Sequence, residues 1–457
     1  MSNFWDSSVW GSLNLVTVLL LSLLAASLLK KSVKVLQDSL IPTSVVGGAI
    51  LLCIAAIYKF ITKEVMFDTA FFGGSGSSVL EVITYHTLAL GFIASAFTGS
   101  NQKLSKQRNI EIFNTGVTTV STYLIQAIVG LGITIIAAHI MNDFFSASGI
   151  LLPFGYGQGT GQALNYGNIY ETEYGFAGGK SFGLTVAAMG FLSASIGGVI
   201  HLNVSKNRKK REQAVERQVM AEDRATEKDI PIFENMDTLS VQVAFVLMAY
   251  FITYIAMSLL GALLPGMKAV IFGFNFLLGV LMATLSKIVI NKLHQKNILK
   301  KKYINEFLMV RVRNFFFDIM VVAGIAAIRL NALGKYLGIL IILGIVGAVV
   351  TYIYLRIVCS VLFKEYEEEQ FLAMYGMLTG TASTGIILLR EIDGDFKTPA
   401  ADNLVYQNFP AIVFGFPMML LATLAPKMPG ITLLIIVGFF MVMNIILFRS
   451  LIFKKRK

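Results

Sequence analysis

The chain has 457 residues, of which 55% are hydrophobic and only 14% are charged, and its mean hydropathy is +0.70. An ordinary soluble domain has about 25% charged residues, so a water-soluble fold is excluded. The nine prolines and the lack of any low-complexity tract exclude a fibrous or disordered chain. The composition therefore predicts a polytopic membrane protein.

Apolar runs long enough to cross a bilayer as a helix, which takes about 20 residues, recur along the whole chain. The first five lie near 9–29, 41–60, 79–98, 110–138 and 176–203, and a charged segment follows at 205–237. The remaining runs lie near 238–264, 269–291, 305–329, 336–362, 403–424 and 431–453. We therefore expect an all-α protein with about 11 transmembrane spans.

The positive residues indicate an orientation, because short cytoplasmic loops are rich in Lys and Arg. Clusters follow alternate spans at Lys30–Lys34, Lys103–Arg108, Lys206–Arg211, Lys300–Lys302 and Lys454–Lys457. This pattern predicts an outside N-terminus and a cytoplasmic C-terminus in the cell inner membrane. It also explains most of the net charge of +11, so a nucleic-acid partner is not expected.

Two apolar segments, 150–170 and 371–391, are too short and too rich in glycine to cross as one helix. Each follows the fourth span of its half, and a full crossing would break the alternation of positive loops. We interpret them as re-entrant hairpins, the first entering from outside and the second from the cytoplasm. Irregular backbone at membrane depth requires protein or water to satisfy its polar groups, which implies a cavity.

The order of these elements predicts two inverted five-helix repeats, each with one hairpin. Residues 1–204 form the first repeat, 205–237 a cytoplasmic linker, and 238–430 the second repeat. Residues 431–457 add one helix and a basic tail. Inverted repeats with interrupted helices are typical of secondary transporters that work by alternating access.

Glycine and hydroxyl residues in the hairpins suggest a site for an anion. The first hairpin has glycines at alternate positions from Gly155 to Gly161, and the second contains LTGTASTG. Backbone N–H groups beside glycine and a helix N-terminus both favour negative charge, so a carboxylate held between the two tips is the natural inference. The competing interpretation is that small residues simply permit close helix packing.

Several polar residues near the hairpins are candidates for sodium binding or polar support. Asp318 lies inside a span, where charge is costly, and it could bind a cation or pair with a nearby arginine. Asn165 and Asn408 offer amide oxygens, although either could cap a helix. No metal-ligand spacing or nucleophile motif is present, so neither an enzyme nor a resident cofactor is expected.

The sequence resembles the bacterial sodium/glutamate symporters, which are related to the sodium/citrate carriers. The resemblance lies in IPTSVVGG at the second span, in GQGTGQALNYGNIYETEYGF at the first hairpin, and in SIGGVIHLN. It implies two inverted five-helix units, sodium-coupled uptake of glutamate, and a homodimer. It also implies an elevator mechanism, in which transport domains move past a fixed scaffold.

Two positions depart from the GGHGTG motif that is typical of this family: Tyr156 replaces a glycine and Gln158 replaces the histidine. They leave the identity of the carboxylate open. Our hypothesis is a sodium-coupled importer of glutamate or a related small carboxylate. The alternatives are a proton- or sodium-coupled carrier of another dicarboxylate or hydroxycarboxylate and, from another class, a channel or a sensor. The expected substrate-binding residues are Gly157, Gln158, Gly159, Thr160, Thr381, Ala382 and Ser383.

Overall fold

The structure is a computed structural model that describes residues 3–98, 105–204, 237–299, 303–394 and 397–452, and within these ranges it has helices and no strands. The helices of the first half are α1 (Ser7–Ser32), α2 (Lys34–Asp38), α3 (Thr43–Thr62), α4 (Gly76–Phe97), α5 (Lys106–Ile140), α6 (Leu151–Gln158), α7 (Thr160–Tyr174) and α8 (Gly179–Val204). The helices of the second half are α9 (Thr238–Leu263), α10 (Lys268–Gly273), α11 (Asn275–Gln295), α12 (Glu306–Ala326), α13 (Leu337–Leu362), α14 (Glu367–Thr379), α15 (Ala382–Arg390), α16 (Ala400–Tyr406), α17 (Asn408–Leu424), α18 (Pro429–Leu447) and α19 (Arg449–Ile452).

The apolar helices agree with a multi-pass membrane protein. In the described ranges, nine helices are long and apolar enough to cross a bilayer, and α16 with α17 adds a tenth candidate that bends by 53°. The remaining predicted span, 305–329, coincides with the 21-residue helix α12. Its charged residues, which include Arg311, Arg313 and Asp318, keep it outside the set of apolar spans.

Some sequence predictions fall outside the described residues. These are the linker up to residue 236, the basic tail from residue 453, the positive clusters at Lys206–Arg211 and Lys300–Lys302, and Lys103 of the cluster Lys103–Arg108. Asp237, which ends the predicted linker, caps α9, because its carboxylate accepts a hydrogen bond of 2.9 Å from the backbone N–H of Ser240.

The second and third long helices of each half form one of the contacts between the two halves. α3 packs on α12, α11 packs on α4, and α4 and α12 pack together at the centre. Glycines permit both close crossings. A Cβ atom at Gly48 of α3 would lie 2.7 Å from Ile325, and one at Gly279 of α11 would lie 2.8 Å from Ile93. Each half thus presents a glycine of its second helix to an isoleucine in the third helix of the other half.

The helix ends define two ends of the bundle. End A carries residues 141–150, 175–181 and 327–336, where the Tyr336 hydroxyl donates to the Ala177 carbonyl at 3.0 Å. End B carries residues 105–111, 201–204 and 363–370, where the Tyr366 hydroxyl donates to Glu111 at 3.0 Å. The sequence prediction makes end A the outside and end B the cytoplasm.

Two helical hairpins start at opposite ends of the bundle. α6 and α7 pair with each other, and Phe154 stacks on Tyr166 with ring centroids 4.0 Å apart. Their outer ends meet at end A, where Phe145 stacks on Phe176 at 4.6 Å. α14 and α15 pair at end B, and their contact is close because Gly376 lies against the backbone of Gly385.

Candidate functional site

The tips of the two hairpins meet inside the bundle. The chain between α6 and α7 breaks at Gly159, and the chain between α14 and α15 breaks at Gly380 and Thr381. A Cβ atom built on Gly159 would lie 3.5 Å from the Thr381 methyl carbon and 3.9 Å from the Gly380 carbonyl oxygen. Residues more than 200 positions apart in the chain are therefore neighbours, as expected for a site between two tips.

Among the alternate glycines of the first hairpin, only Gly159 has a specific backbone role. Gly159 has φ +79° and ψ −169°, a conformation that is almost restricted to glycine. At Gly155, Gly157 and Gly161 the requirement is space, because a Cβ atom would lie within 2.8 Å of Ala187, 2.1 Å of Tyr123 and 2.7 Å of Leu88, respectively. The packing interpretation of the alternate glycines thus applies to these three positions.

The first tip is enclosed and fixed by α5 and α12. The Tyr123 hydroxyl donates to the Gly157 carbonyl at 3.1 Å, and the Thr160 hydroxyl donates to the Met320 carbonyl at 3.3 Å. Gly157, Gly159 and Thr160 are buried, whereas Gln158 is half-buried. Of the expected contact side chains at this tip, Gln158 is therefore the most accessible.

The second tip is open on one side. Ala382 and Ser383 are exposed and Thr381 is half-buried, although they lie deep in the chain's helical bundle. One face of α15 continues this opening through Ile386 to Arg390, which is exposed at end B. The α6 helix, in contrast, is buried from Leu151 to Gly157. The tips are therefore accessible from end B and covered towards end A.

The tips bring two helix N-termini together. α7 starts at Thr160 and α15 starts at Ala382, so the first N–H groups of both helices lie beside the Gly159–Thr381 contact. The Thr381 side chain caps α15 by accepting from the backbone N–H of Thr384 at 3.4 Å. The first N–H groups of a helix have no intrahelical acceptor and carry partial positive charge. An anion placed between the tips is stabilised by both helices.

The same breaks also end two helices, which leaves backbone carbonyls that favour a cation. At the end of α14, Gln126 of α5 donates to the Leu378 carbonyl at 2.9 Å and to the Thr351 hydroxyl at 2.8 Å. Gln126 is fully buried, and its Oε1 atom has no hydrogen-bond partner among the described residues. An unpaired buried oxygen beside a helix C-terminus is suited to a sodium ion.

The sequence did not single out Tyr123 and Gln126, although α5 carries a detectable signal. Polar residues recur every three or four positions on one face of this apolar helix, at Thr115, Thr118, Thr122 and Gln126, and all of them are buried. The three threonines bond back to carbonyls of their own helix. Gln126 bonds to the end of α14 beside the second tip, and Thr115 accepts from Gln370 of the same helix at 3.4 Å. The periodicity alone reveals neither contact.

The three candidates for sodium or polar support do not converge on the tips. The Asn165 amide donates to the Gly273 carbonyl at the end of α10, and Asn408 accepts from Gln407 at 3.2 Å in the bend before α17. Asp318 is exposed and lies near Ser44 of α3. Its helix instead presents Met320 and Gly324 to the first tip.

Tyr156, one of the two departures in the glycine-rich motif, points away from the tips. Its side chain is fully buried, and the hydroxyl donates to the Gly344 carbonyl at 2.5 Å and lies 2.9 Å from the Ser193 hydroxyl. Tyr156 therefore connects α6 to α8 and α13 and does not line the space between the two tips. Gln158 is the departure that remains at the tip.

Ion pairs fix the outer ends of both hairpins. At end A, Lys180 contacts Glu171 of α7 at 3.8 Å and Glu81 of α4 at 2.8 Å, and Arg329 contacts Glu81 at 3.3 Å. At end B, Glu368 lies 2.6 Å from the His201 ring and 2.8 Å from Arg356. The hydrogen bond with His201, assisted by Arg356, lowers the pKa of Glu368 to about 2, so its carboxylate is ionised at neutral pH.

The fold and the paired tips define a polytopic helical membrane protein with a site of the kind that secondary transporters use. The family model described as Sodium/glutamate symporter matches residues 11–397. The chain belongs to the sodium/glutamate symporter family, which confirms the resemblance seen in the sequence. Membership supports sodium-coupled transport of glutamate in general terms, and it implies a transporter rather than an enzyme. No curated protein and no solved structure matched the chain.

Proposed function

We propose that the protein is a sodium-coupled symporter that imports glutamate or a closely related small carboxylate by alternating access. The observation that supports this most strongly is the approach of Gly159 to Thr381, which places two helix N-termini at one point. A substrate carboxylate would accept hydrogen bonds from the N–H groups of Thr160 and Ser383 and from the Thr381 hydroxyl. Gly157, Gln158 and Ala382 would complete its surroundings.

Sodium would bind at the helix C-termini of the same breaks, where the backbone carbonyls carry partial negative charge. The Gln126 oxygen and the carbonyls that end α14 supply hard oxygen ligands beside the anion, so that each ion lowers the electrostatic cost of binding the other. Asn165, Asp318 and Asn408 would give polar support at a distance rather than direct ligation. Sodium is cargo in this scheme, and no resident cofactor takes part.

The mechanism would be of the elevator type. We assign α4–α8 and α12–α17 to a mobile unit that carries both tips, and α1–α3 and α9–α11 to a scaffold with the dimer contact. The reciprocal crossings at Gly48 and Gly279 support an inverted repeat and would be the surfaces on which the mobile unit slides. The accessible face of α15 corresponds to a state that is open to end B. With the N-terminus outside the inner membrane, end B is cytoplasmic and this state faces inward.

Uptake of labelled glutamate into proteoliposomes, with and without an inward sodium gradient, tests this proposal. We expect uptake that depends on sodium and is abolished when the gradient is collapsed. Equal uptake without sodium would refute the coupling. The double variant Thr160→Val with Thr381→Val should lose uptake while remaining folded, and Thr172→Val, an exposed threonine of α7 outside the tip, is the matched control.

A carrier for another dicarboxylate or hydroxycarboxylate is the second candidate function. It is supported by the accessible position of Gln158 at the first tip. A neutral amide at an accessible tip position recognises hydroxyl, amide and carboxylate groups alike. Competition of labelled glutamate by a panel of such acids, measured in sodium and at two pH values, distinguishes the candidates. Stronger competition by a hydroxycarboxylate than by glutamate would replace the first assignment, and proton-driven uptake would replace sodium as the coupling ion.

A further inference from the structure

A cavity of about 770 Å³ lies at end A, away from the hairpin tips, between α3 and the segment that follows α12. One wall is formed by the last turns of α3 and the other by residues 326–331. Most of its lining is apolar and includes Leu52, Ala56 and Phe67. A site for a small polar solute does not need this much apolar wall, whereas a site for an amphiphile does.

The charged residues of the cavity are mainly positive. Lys59, Lys63 and Arg329 line it, and its carboxylate, Asp68, accepts from the backbone N–H of Ser77 at 2.9 Å. Arg329 shares Glu81 with Lys180, but Lys59 and Lys63 contact no carboxylate among the described residues. The Lys63 ammonium lies over the exposed Phe60 ring at 5.0 Å. The ammonium groups of Lys59 and Lys63 can therefore interact with an anionic ligand.

The position of the cavity matches the boundary between headgroups and acyl chains. Lys59 lies in the last turn of α3 and Lys63 directly follows the helix, and the neighbouring side chains of Ile57, Phe60 and Ile61 are exposed and would face lipid. Lysine at such a boundary extends its ammonium towards the headgroup layer while its methylene chain stays in the apolar region. A phosphate group at this depth would meet both ammonium groups.

We propose that this cavity binds an anionic phospholipid, with the phosphate between Lys59 and Lys63 and an acyl chain against Leu52 and Ala56. The binding site itself does not depend on transport activity. Its consequence for transport rests on the proposed function, because a lipid here contacts both the scaffold helix α3 and the mobile helix α12. Occupancy would then slow the sliding of one against the other, so transport is slower in membranes rich in anionic lipid.

Native mass spectrometry of the full-length protein, titrated with phosphatidylglycerol or with phosphatidylcholine, tests the site without any transport assay. We expect preferential retention of phosphatidylglycerol. The double variant Lys59→Gln with Lys63→Gln should weaken it by roughly 10- to 30-fold, since each lysine near a headgroup contributes about a factor of five. The matched control is Lys335→Gln with Lys427→Gln, two exposed lysines at end A that do not line the cavity.

The variant Ala56→Phe tests the acyl-chain position without changing any charge. It fills the apolar part of the cavity, so it should also reduce phosphatidylglycerol retention. Gel filtration and the melting temperature verify that each variant folds, and Ala56→Leu provides a milder replacement if the phenylalanine variant does not. Equal retention of the two lipids, or unchanged phosphatidylglycerol binding in both cavity variants, would overturn the proposal. Phosphatidylglycerol binding that is lost in the lysine variant but kept in Ala56→Phe and Ala56→Leu would overturn the acyl-chain position, because the cavity would then recognise only the headgroup.

The kinetic consequence has a separate test in proteoliposomes. Uptake by the unmodified protein should fall when phosphatidylglycerol replaces phosphatidylcholine, and uptake by the lysine variant should not change. If lipid binding is observed and neither protein transports glutamate, the proposed function fails and the lipid site stands. If transport occurs with no response to lipid in either protein, the regulatory consequence is refuted.

Discussion

Gly159 provides a sharp test of the tip geometry. Its φ of +79° and ψ of −169° lie where a residue with a Cβ atom is strained by about 1–3 kcal/mol. Space is not the obstacle, because the new Cβ atom would lie 3.5 Å from Thr381, which is an ordinary contact. Gly159→Ala therefore changes the backbone preference of the tip and little else.

The expected loss of substrate affinity in Gly159→Ala follows from a shift in the population of tip conformations. If substrate binds only the observed tip conformation, a strain of about 1–3 kcal/mol lowers the population of that conformation and weakens the apparent affinity by roughly 5- to 150-fold. The Kd for glutamate in saturating sodium, measured by calorimetry on purified protein, gives this ratio. The KM of uptake should rise in parallel, because the strain acts before the substrate binds.

Gly175→Ala is the matched control. Gly175 also has a positive φ, +71°, and a Cβ atom there meets no atom within 4 Å. It lies at end A, after α7 and away from the tips, so its substitution should reduce stability by about 1–2 kcal/mol without changing affinity. An affinity within twofold of the unmodified protein in Gly159→Ala, with the protein folded, would refute the role of this tip conformation.

Three further predictions concern single side chains. Thr381→Val removes the cap of α15 and should raise the KM of uptake by about fivefold or more. Thr381→Ser keeps a hydroxyl and should have a KM close to that of the unmodified protein. Equal KM values for the two variants would contradict the hydroxyl's role. Gln126→Leu should raise the sodium concentration for half-maximal uptake, and an unchanged sodium dependence would exclude Gln126 from the ion site. Because the folded-state pKa of Glu368 is lowered from 4.5 to about 2, its ion pair should stabilise the protein fully above pH 4.5 and lose this effect as the pH falls towards 2. The difference in melting temperature between the unmodified protein and Glu368→Gln should therefore shrink below pH 4.5; a constant difference down to pH 3 would refute it.

The sequence located most helices well because apolar runs and helical propensity are local properties. α13, for example, covers Leu337–Leu362 where the hydropathy pattern predicts 336–362. α12 was predicted for the same reason, yet Arg311, Arg313 and Asp318 make it less apolar than the other spans. Its position against α4 at the centre of the bundle comes from helix packing, which the hydropathy pattern does not contain.

In the candidate site, too, the sequence shows which residues are present and the structure shows what each one contacts. The glycines of the first hairpin are visible in the sequence, but only the structure separates Gly159, which needs its backbone conformation, from Gly157, which makes room for Tyr123. The role of Gln126 depends on the Leu378 carbonyl, which is 252 positions away in the chain. Asp318 was a candidate for sodium binding because a charge inside a membrane span is costly. The structure places it towards Ser44 instead of the tips.

By itself the sequence determined the class of protein, the approximate spans, the two interrupted segments and the family. These follow from composition, local hydropathy and short motifs, each of which is contained within about 20 neighbouring residues. The tertiary structure alone decided which polar atoms meet. Contacts such as Gly159 with Thr381 arise because two hairpins from opposite ends of the bundle stop at the same depth. That depth is set by the packing of α4, α5 and α12 around the first hairpin and of α8 and α13 around the second.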